Sequence, residues 1–540
     1  MDPQQAEAQF QQAVAAYRGG DYATVAVLCD RLLGFDPQHP AVLQLAGATA
    51  LRQGRAADAV RFFTDATRAQ PQDAGAQVNL GAALKAAGRV DDAVAAFHAA
   101  TTLAPDNAMA WFDLGNALQA LERNDDAVRC YFRVLELEPG HHRAGFNLGS
   151  LLLALDEPDA AAEILATVTQ QQPDSATAHA RLGMALRRAG DTAGAIAALR
   201  RAIALDAGDV DVVAMLATTL GEQGHEVLGE AAGVYRQALA LAPERAEIWS
   251  NLAWTLAEMG DLDEAVEAAH EATRHDPALP AGHYHLGLIH QRRNELAQAE
   301  AALRQALALN PRYVRAYSTL ALVLEGLGRD DDVARIADPA HCVQGFALGE
   351  LLDVGDIDDF NRRLVDFIHQ NPTLMSERPN RATTGGAQTL DLAQDQAAVM
   401  QQFKAAVNRA VAQYLAARQH SDESGYFAEV PTQWQLSIWA VVLASGGFQA
   451  PHNHPTGFVS GVYYPRVPAV VGDDGEDGYI EFGPSNVTGA DGQQLASSLR
   501  KTARPREGRM FLFPSYLWHR TIPYTSDEER ISVAFDVLWD

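Results

Sequence analysis

The sequence predicts a multidomain α + β protein: an all-α array of stacked helical hairpins over residues 1–337, then a β-rich barrel or sandwich with backing helices over residues 338–540. Three observations carry that expectation. Gly47, Gly81, Gly115, Gly149 and Gly183 lie 34 residues apart. A second register, Pro37, Pro71, Pro105, Pro139 and Pro173, keeps the same period. After Ala334 the period stops, and from Trp434 short runs of β-branched and aromatic residues take over.

The repeats come first because self-similarity at a fixed period sets the architecture. Counting back, Ala13 begins the small-residue series. It continues through Ala217, slips by two residues around Gly221–Gly229, and resumes at Ala253, Gly287 and Ala321, which makes ten units. The prolines follow the slip as Pro243, Pro277 and Pro311. Small residues such as Gly81 and Ala93 let two antiparallel helices approach, while aromatic and leucine side chains fill the space between them. The proline ends the second helix because it lacks an N–H and clashes with the preceding turn. Trp111, Leu114, Gly115, Ala127, Tyr131 and Pro139 occupy one unit's large, small and breaker positions. This pattern resembles the tetratricopeptide repeat (TPR) family, which implies a right-handed superhelix with a concave groove. In that family the position two before the small residue faces the groove, and here it holds Asn79, Asn147 and Asn251 among others. Their amides are candidates for binding a peptide backbone, or are simply solvated polar residues.

Past the repeats, Phe360, Leu364, Phe367 and Ile368 mark an amphipathic stretch, followed by a Pro/Ser/Gly-rich loop from Asn371 to Gly386. Val399, Phe403, Val407, Val411 and Leu415 share one face of a second helix. Strands are predicted at Gln435–Leu443, Phe458–Tyr464, Tyr479–Phe482, Arg509–Phe513 and Ile531–Leu538. Helices followed by many short strands suggest an all-β barrel or sandwich with helical backing.

The chemistry gathers in that second part. His452-Asn453-His454 is extended, so both imidazoles face the same way, and His519 follows the Phe513-Pro514-Ser515 corner. Three imidazoles that leave positions open suit a catalytic first-row metal. Eleven residues after His519 comes Arg530, with Ser532 two further along the same strand face. A guanidinium fork beside a hydroxyl is suited to a carboxylate, and the apolar run Ile531–Phe535 argues for a buried arginine that needs an anion.

The stretches Pro451–Pro455, Ser460–Tyr464, Ile480–Phe482, Leu512–Tyr516 and Arg530–Phe535 together resemble the 2-oxoglutarate/Fe(II) oxygenase superfamily, and within it a branch fused to TPRs. The resemblance implies a double-stranded β-helix (jelly-roll) domain. It implies His452 and His519 as iron ligands, Fe(II) and 2-oxoglutarate as cofactors, Arg530 and Ser532 on the distal carboxylate of 2-oxoglutarate, and hydroxylation coupled to its decarboxylation. One position departs from the pattern: the second ligand is usually acidic and is His454 here, as in three-histidine cupin dioxygenases. His454 is favoured by strand geometry, and Glu481 is the alternative. The loop from Asn486 to Arg506 is a candidate lid.

A net charge of −27 disfavours nucleic acid or an anionic membrane as partner and favours a neutral or basic one. With 48% hydrophobic and 21% charged residues the composition is that of a globular protein, and no run of about twenty apolar residues suggests a span. Cys29, Cys130 and Cys342 are the only cysteines, far apart, and no secretory leader is visible, so a cytoplasmic protein is expected. The expected function is an oxygenase acting on a protein or peptide held in the groove. The competing readings are a small-molecule oxygenase of cupin-like type and a non-enzymatic TPR adaptor with a degenerate metal domain.

Overall fold

The computed structural model describes residues 2–352, 355–376, 382–419, 425–472, 475–483 and 500–539. The chain forms two compact units, Met1–Leu241 and Ala242–Asp540. The first contains seven helical hairpins, from Pro3–Arg18 with Tyr22–Phe35 to Val210–Gly221 with Leu228–Leu241. The second opens with three more, the last being Val314–Gly326 with Asp330–Ala337. Together they are the ten units of the sequence period.

Packing explains the period. A Cβ added at Gly81 would lie 2.6 Å from the Phe97 ring, and one at Gly149 2.5 Å from Leu165, each sixteen residues downstream on the partner helix. The small residue thus seats the large one, and the hairpin closes around it. Each period proline stands two residues beyond its helix, as Pro71 does after Ala69 and Pro105 after Leu103. The two-residue slip is a 3-10 turn, His225–Val227, inside one hairpin's connection.

In the second unit ten strands follow: β1 (Gln344–Ala347), β2 (Met375–Ser376), β3 (Thr383–Gln388), β4 (Gln435–Gln449), β5 (Val459–Arg466), β6 (Ile480–Phe482), β7 (Lys501–Ala503), β8 (Arg509–Pro514), β9 (His519–Thr521) and β10 (Arg530–Leu538). They form a large sheet in the order β1-β8-β5-β10-β4-β3-β2 and a small one in the order β7-β6-β9. A single antiparallel bridge between His452 and His519 adds the histidine segment to the edge of the small sheet. From β5 onward the chain passes back and forth between the two antiparallel sheets (β5 large, β6 and β7 small, β8 large, β9 small, β10 large), as in a double-stranded β-helix.

The predicted helices appear as Ile357–Gln370 and Ala398–Gln419. Their buried Phe360, Leu364, Phe403 and Val407 pack on one face of the large sheet, against Ile531, Val533, Phe535 and Val537 of β10. Tyr317, Leu320 and Val323 of the Val314–Gly326 helix belong to that same core. The last repeat is therefore built into the β domain's hydrophobic core rather than tethered to it.

Part of the predicted Asn371–Gly386 loop is a strand instead. Thr383–Gln388 pairs with β4 in irregular register. A Cβ at Gly386 would come within 2.5 Å of the Val442 carbonyl, so the glycines serve the bulge and mask the strand pattern. In the candidate lid, residues 486–499 lie outside the described residues, and Lys501–Ala503 forms β7.

Candidate metal centre

Two chain segments bring the predicted histidines together. His452 and His519 exchange both backbone hydrogen bonds at 3.0 Å, and the His454 N–H donates to the Ser515 carbonyl at 2.9 Å. The possible ligand atoms of His452, His454 and His519 all lie within 4.8 Å of one another. Each ring uses Nδ1 elsewhere: His452 on the Ala450 carbonyl at 2.7 Å, His519 on the Leu517 carbonyl at 3.1 Å, His454 on the Asp536 carboxylate at 2.6 Å. That leaves Nε2 of all three for a common ion. Metal-bound histidines characteristically donate their other N–H to a carbonyl or carboxylate, so the donor set fits a divalent first-row metal.

Asp536 escaped the sequence reading. It lies on the face of β10 that also carries Arg530 and Ser532, and it accepts from Ser460 Oγ at 2.6 Å as well as holding His454. A carboxylate absent from the three-histidine group is thus present one bond further out, on Nδ1 of His454. The available signal was an acid in the otherwise apolar run of β10 at the same parity as Arg530.

Glu481 is placed differently. It stands opposite Arg520 in the β6–β9 pairing, and its carboxylate bonds to Arg520 at 2.8 Å and to Arg500 at 2.5 Å. Phe482, its neighbour, faces the interior with His519. Period-two alternation therefore points Glu481 away from the three imidazoles, and the group of potential ligands is the three histidines.

Arg530 is 2% exposed, donates through Nη2 to Tyr464 OH at 3.2 Å, and lies over the Tyr464 ring. Its Nε and Nη1 are buried without a hydrogen-bond partner. A buried guanidinium with two idle donors is costly unless an anion completes it. Tyr464 packs with Phe482 and Phe513, which in turn flank His519, so Arg530 and the histidines face one interior between the sheets. Ser532 shares the Arg530 face and is buried. A cleft of about 420 Å³ reaches His452 and His454, with Trp439, Gln388, Asp391 and Asp536 on its walls. Arg530, buried at the start of β10, is not among the residues that line it.

Burial first, and the neighbouring His454 second, pushes His452 down to about 4. Burial, then His452 and His454, pushes His519 well below its ordinary value. The His452 and His519 imidazoles are therefore held neutral, the form a metal requires. With His452 near 4 folded and near 6.5 unfolded, the unfolded metal-free chain binds the extra proton between those values. Stability from this group is full above about pH 6.5 and is lost as pH falls toward 4, a change of about 3 kcal/mol at most. Urea midpoints of the metal-free chain at pH 7 and pH 5 should differ less in His452→Gln than in the parent; an unchanged difference would count against a neutral buried His452.

In the repeats, Asn79 and Asn147 each have a partner in the adjoining repeat. Asn79 Nδ2 donates to Gln44 at 2.5 Å and Asn147 Nδ2 to Asn116 at 2.9 Å, each in the preceding repeat. One amide hydrogen of each thus ties neighbouring repeats. Asn147 also lines a cleft of about 410 Å³ with Phe112, Arg143 and Phe146. Asn251 is half-buried.

A helical repeat array followed by a jelly roll with three convergent histidines and an idle buried arginine defines the class. Residues 437–536 match the family described as "Putative 2OG-Fe(II) oxygenase". Tetratricopeptide repeats match residues 45–108, 83–140, 112–167 and 146–210, then 228–286 and 280–313. The chain carries TPR repeats with an oxygenase-family domain C-terminal to them, matching the TPR-fused oxygenase family. Similar solved structures cover the repeats. YrrB, a TPR protein with an unusual peptide-binding site, is 21% identical over 34% of this chain and 93% of its own (TM-score 0.32). MamA from Desulfovibrio magneticus RS-1 is 22% identical over 32% and 96% (TM-score 0.30). Pseudomonas aeruginosa PilF is 16% identical over 38% and 94% (TM-score 0.34). No curated protein matches the chain. Among the described residues no helix is long and apolar enough to cross a membrane.

Proposed function

We propose that the chain is an Fe(II)- and 2-oxoglutarate-dependent dioxygenase, a hydroxylase whose protein or peptide substrate is captured by the repeats. The observation that carries the reading is the pairing of three inward Nε2 atoms with a buried arginine whose Nε and Nη1 have no partner, on one interior. His452, His454 and His519 would hold the iron, and Arg530 with Ser532 the far carboxylate of 2-oxoglutarate. Iron and the oxo acid together supply oxidative decarboxylation coupled to oxidation of a C–H bond. The chain's own residues do the rest. Asp536 fixes the His454 ring and its tautomer, while Phe482, Phe513 and Tyr464 keep water from the interior.

Arg530 favours this reading over a plain cupin, which has no carboxylate cosubstrate to hold. For the substrate, support comes from the clefts. The one beside His452 and His454 carries Asp391 and Asp536 and, among the described residues, no lysine or arginine, which suits a neutral or cationic side chain. The repeats carry the second, between Phe112 and Phe146. Three buried free cysteines support a reducing, cytoplasmic setting.

The test is an anaerobic titration of the full chain with Fe(II), then 2-oxoglutarate. A weak visible charge-transfer band should appear only after both and be absent in Arg530→Ala at the same concentrations. No band at saturating iron and oxo acid overturns the cofactor assignment. Mass spectrometry of digested lysate should then show a polypeptide gaining one oxygen atom, dependent on intact Arg530. If only small molecules gain oxygen, the small-molecule reading replaces the peptide one.

A further inference from the structure

The residue between the two ligands of the first limb has its own attachment. Asn453 is flanked by His452 and His454, and alternation turns its side chain away from theirs. Its Nδ2 donates to Ser318 Oγ at 2.9 Å. Ser318 lies on the Val314–Gly326 helix of the last repeat, is 6% exposed, and passes its own proton to the Val314 carbonyl at 3.3 Å. The hydroxyl is thus oriented to accept from Asn453.

This limb needs such an attachment. It joins the sheet through one isolated bridge, His452 to His519, with no strand ladder on either side of it. Beyond that bridge, the Ala450 N–H on Ala382, the His454 N–H on Ser515, the His454 ring on Asp536 and the Asn453 side chain help to hold it, and of these only the last reaches the repeats. The corner before His519 rests on the same repeat. Tyr516 stacks on Tyr317 with ring centroids 5.1 Å apart, and its hydroxyl donates to the Ile336 carbonyl at 2.6 Å. Both ligand-bearing limbs are therefore seated on the final helical hairpin.

We infer that the last repeat is part of the metal centre, and that Ser318 and Asn453 are a positioning pair setting the angle at which His452 and His454 meet the ion. The inference rests on the metal reading above. A small-residue spacing places helices, but only the packed structure reveals that one hydroxyl of the array reaches the ligand limb.

The experiment uses the full chain with cobalt(II), an air-stable stand-in for iron whose visible band reports ligand geometry. Ser318→Ala, Asn453→Ala and the double variant are titrated, and the thermal midpoint of each metal-free chain is recorded. Each single change should weaken cobalt binding about fivefold, the equivalent of one ordinary hydrogen bond, and alter the visible band. The double variant should match the singles at about fivefold rather than about twenty-five-fold, since both remove one bond. A purely structural pair would lower the midpoint and leave affinity and spectrum unchanged, which overturns the inference, as do multiplicative effects. Asn453→Ala is read alone if Ser318→Ala does not fold. A parent chain that takes up no cobalt overturns the metal site itself, and the positioning role with it.

Discussion

His519→Ala and His452→Ala each bring metal uptake and oxygenase turnover to background in an otherwise folded chain. The expected loss exceeds about a hundredfold, because changes merely behind a metal ligand already cost about 10–100-fold. Each removes one Nε2 from a group whose possible ligand atoms span no more than 4.8 Å, and two imidazoles cannot enclose an ion as three do. The fold survives because the bridge between these residues is made by their backbones, at 3.0 Å in both directions. Metal content after dialysis, together with circular dichroism, checks both halves. Near-normal metal content in either variant would sink the ligand assignment.

Arg530→Ala has a different signature. Truncating one partner of a desolvated charge pair costs about 2–5 kcal/mol, so the apparent requirement for 2-oxoglutarate should rise about thirtyfold or more. Metal uptake should change little, since the guanidinium bonds to Tyr464 rather than to any histidine. The metal-free, oxo-acid-free variant should be no less stable than the parent. Its parent buries a guanidinium with Nε and Nη1 unpartnered, and removing such a group relieves a cost. Activity against oxo-acid concentration and a urea midpoint separate the cases. A variant that loses stability and metal while its oxo-acid dependence stays put would make the arginine structural.

Much of this was legible before any coordinates. The 34-residue period reports a contact, Gly81 under Phe97 or Gly149 under Leu165, and contacts repeated along a chain leave a repeating trace. The convergence of His452 and His454 was legible because alternation in an extended segment is local, and the burial of Arg530 because it starts an apolar strand. What escaped depends on which elements meet. Asp536 acquires its role only when the folded β10 sets it against the His454 ring. Glu481 reads as a possible ligand until β9 places Arg520 opposite it. The amides of Asn79 and Asn147 read as free until the neighbouring repeat supplies Gln44 and Asn116. Strand β3 was hidden by the glycines that make its bulge possible.

The strand β10 deserves a last consideration as a coding element. It carries Arg530 at one end and Asp536 at the other on a single face, while Ile531, Val533, Phe535 and Val537 face the helices. The guanidinium and the histidine-holding carboxylate are thus separated by a fixed count of six residues, about 20 Å of extended backbone. Insertion or deletion of one residue between them leaves either Arg530 or Asp536 pointing into the helical layer, where neither charge has a partner. The interior therefore tolerates substitution along this strand far better than any change in its length.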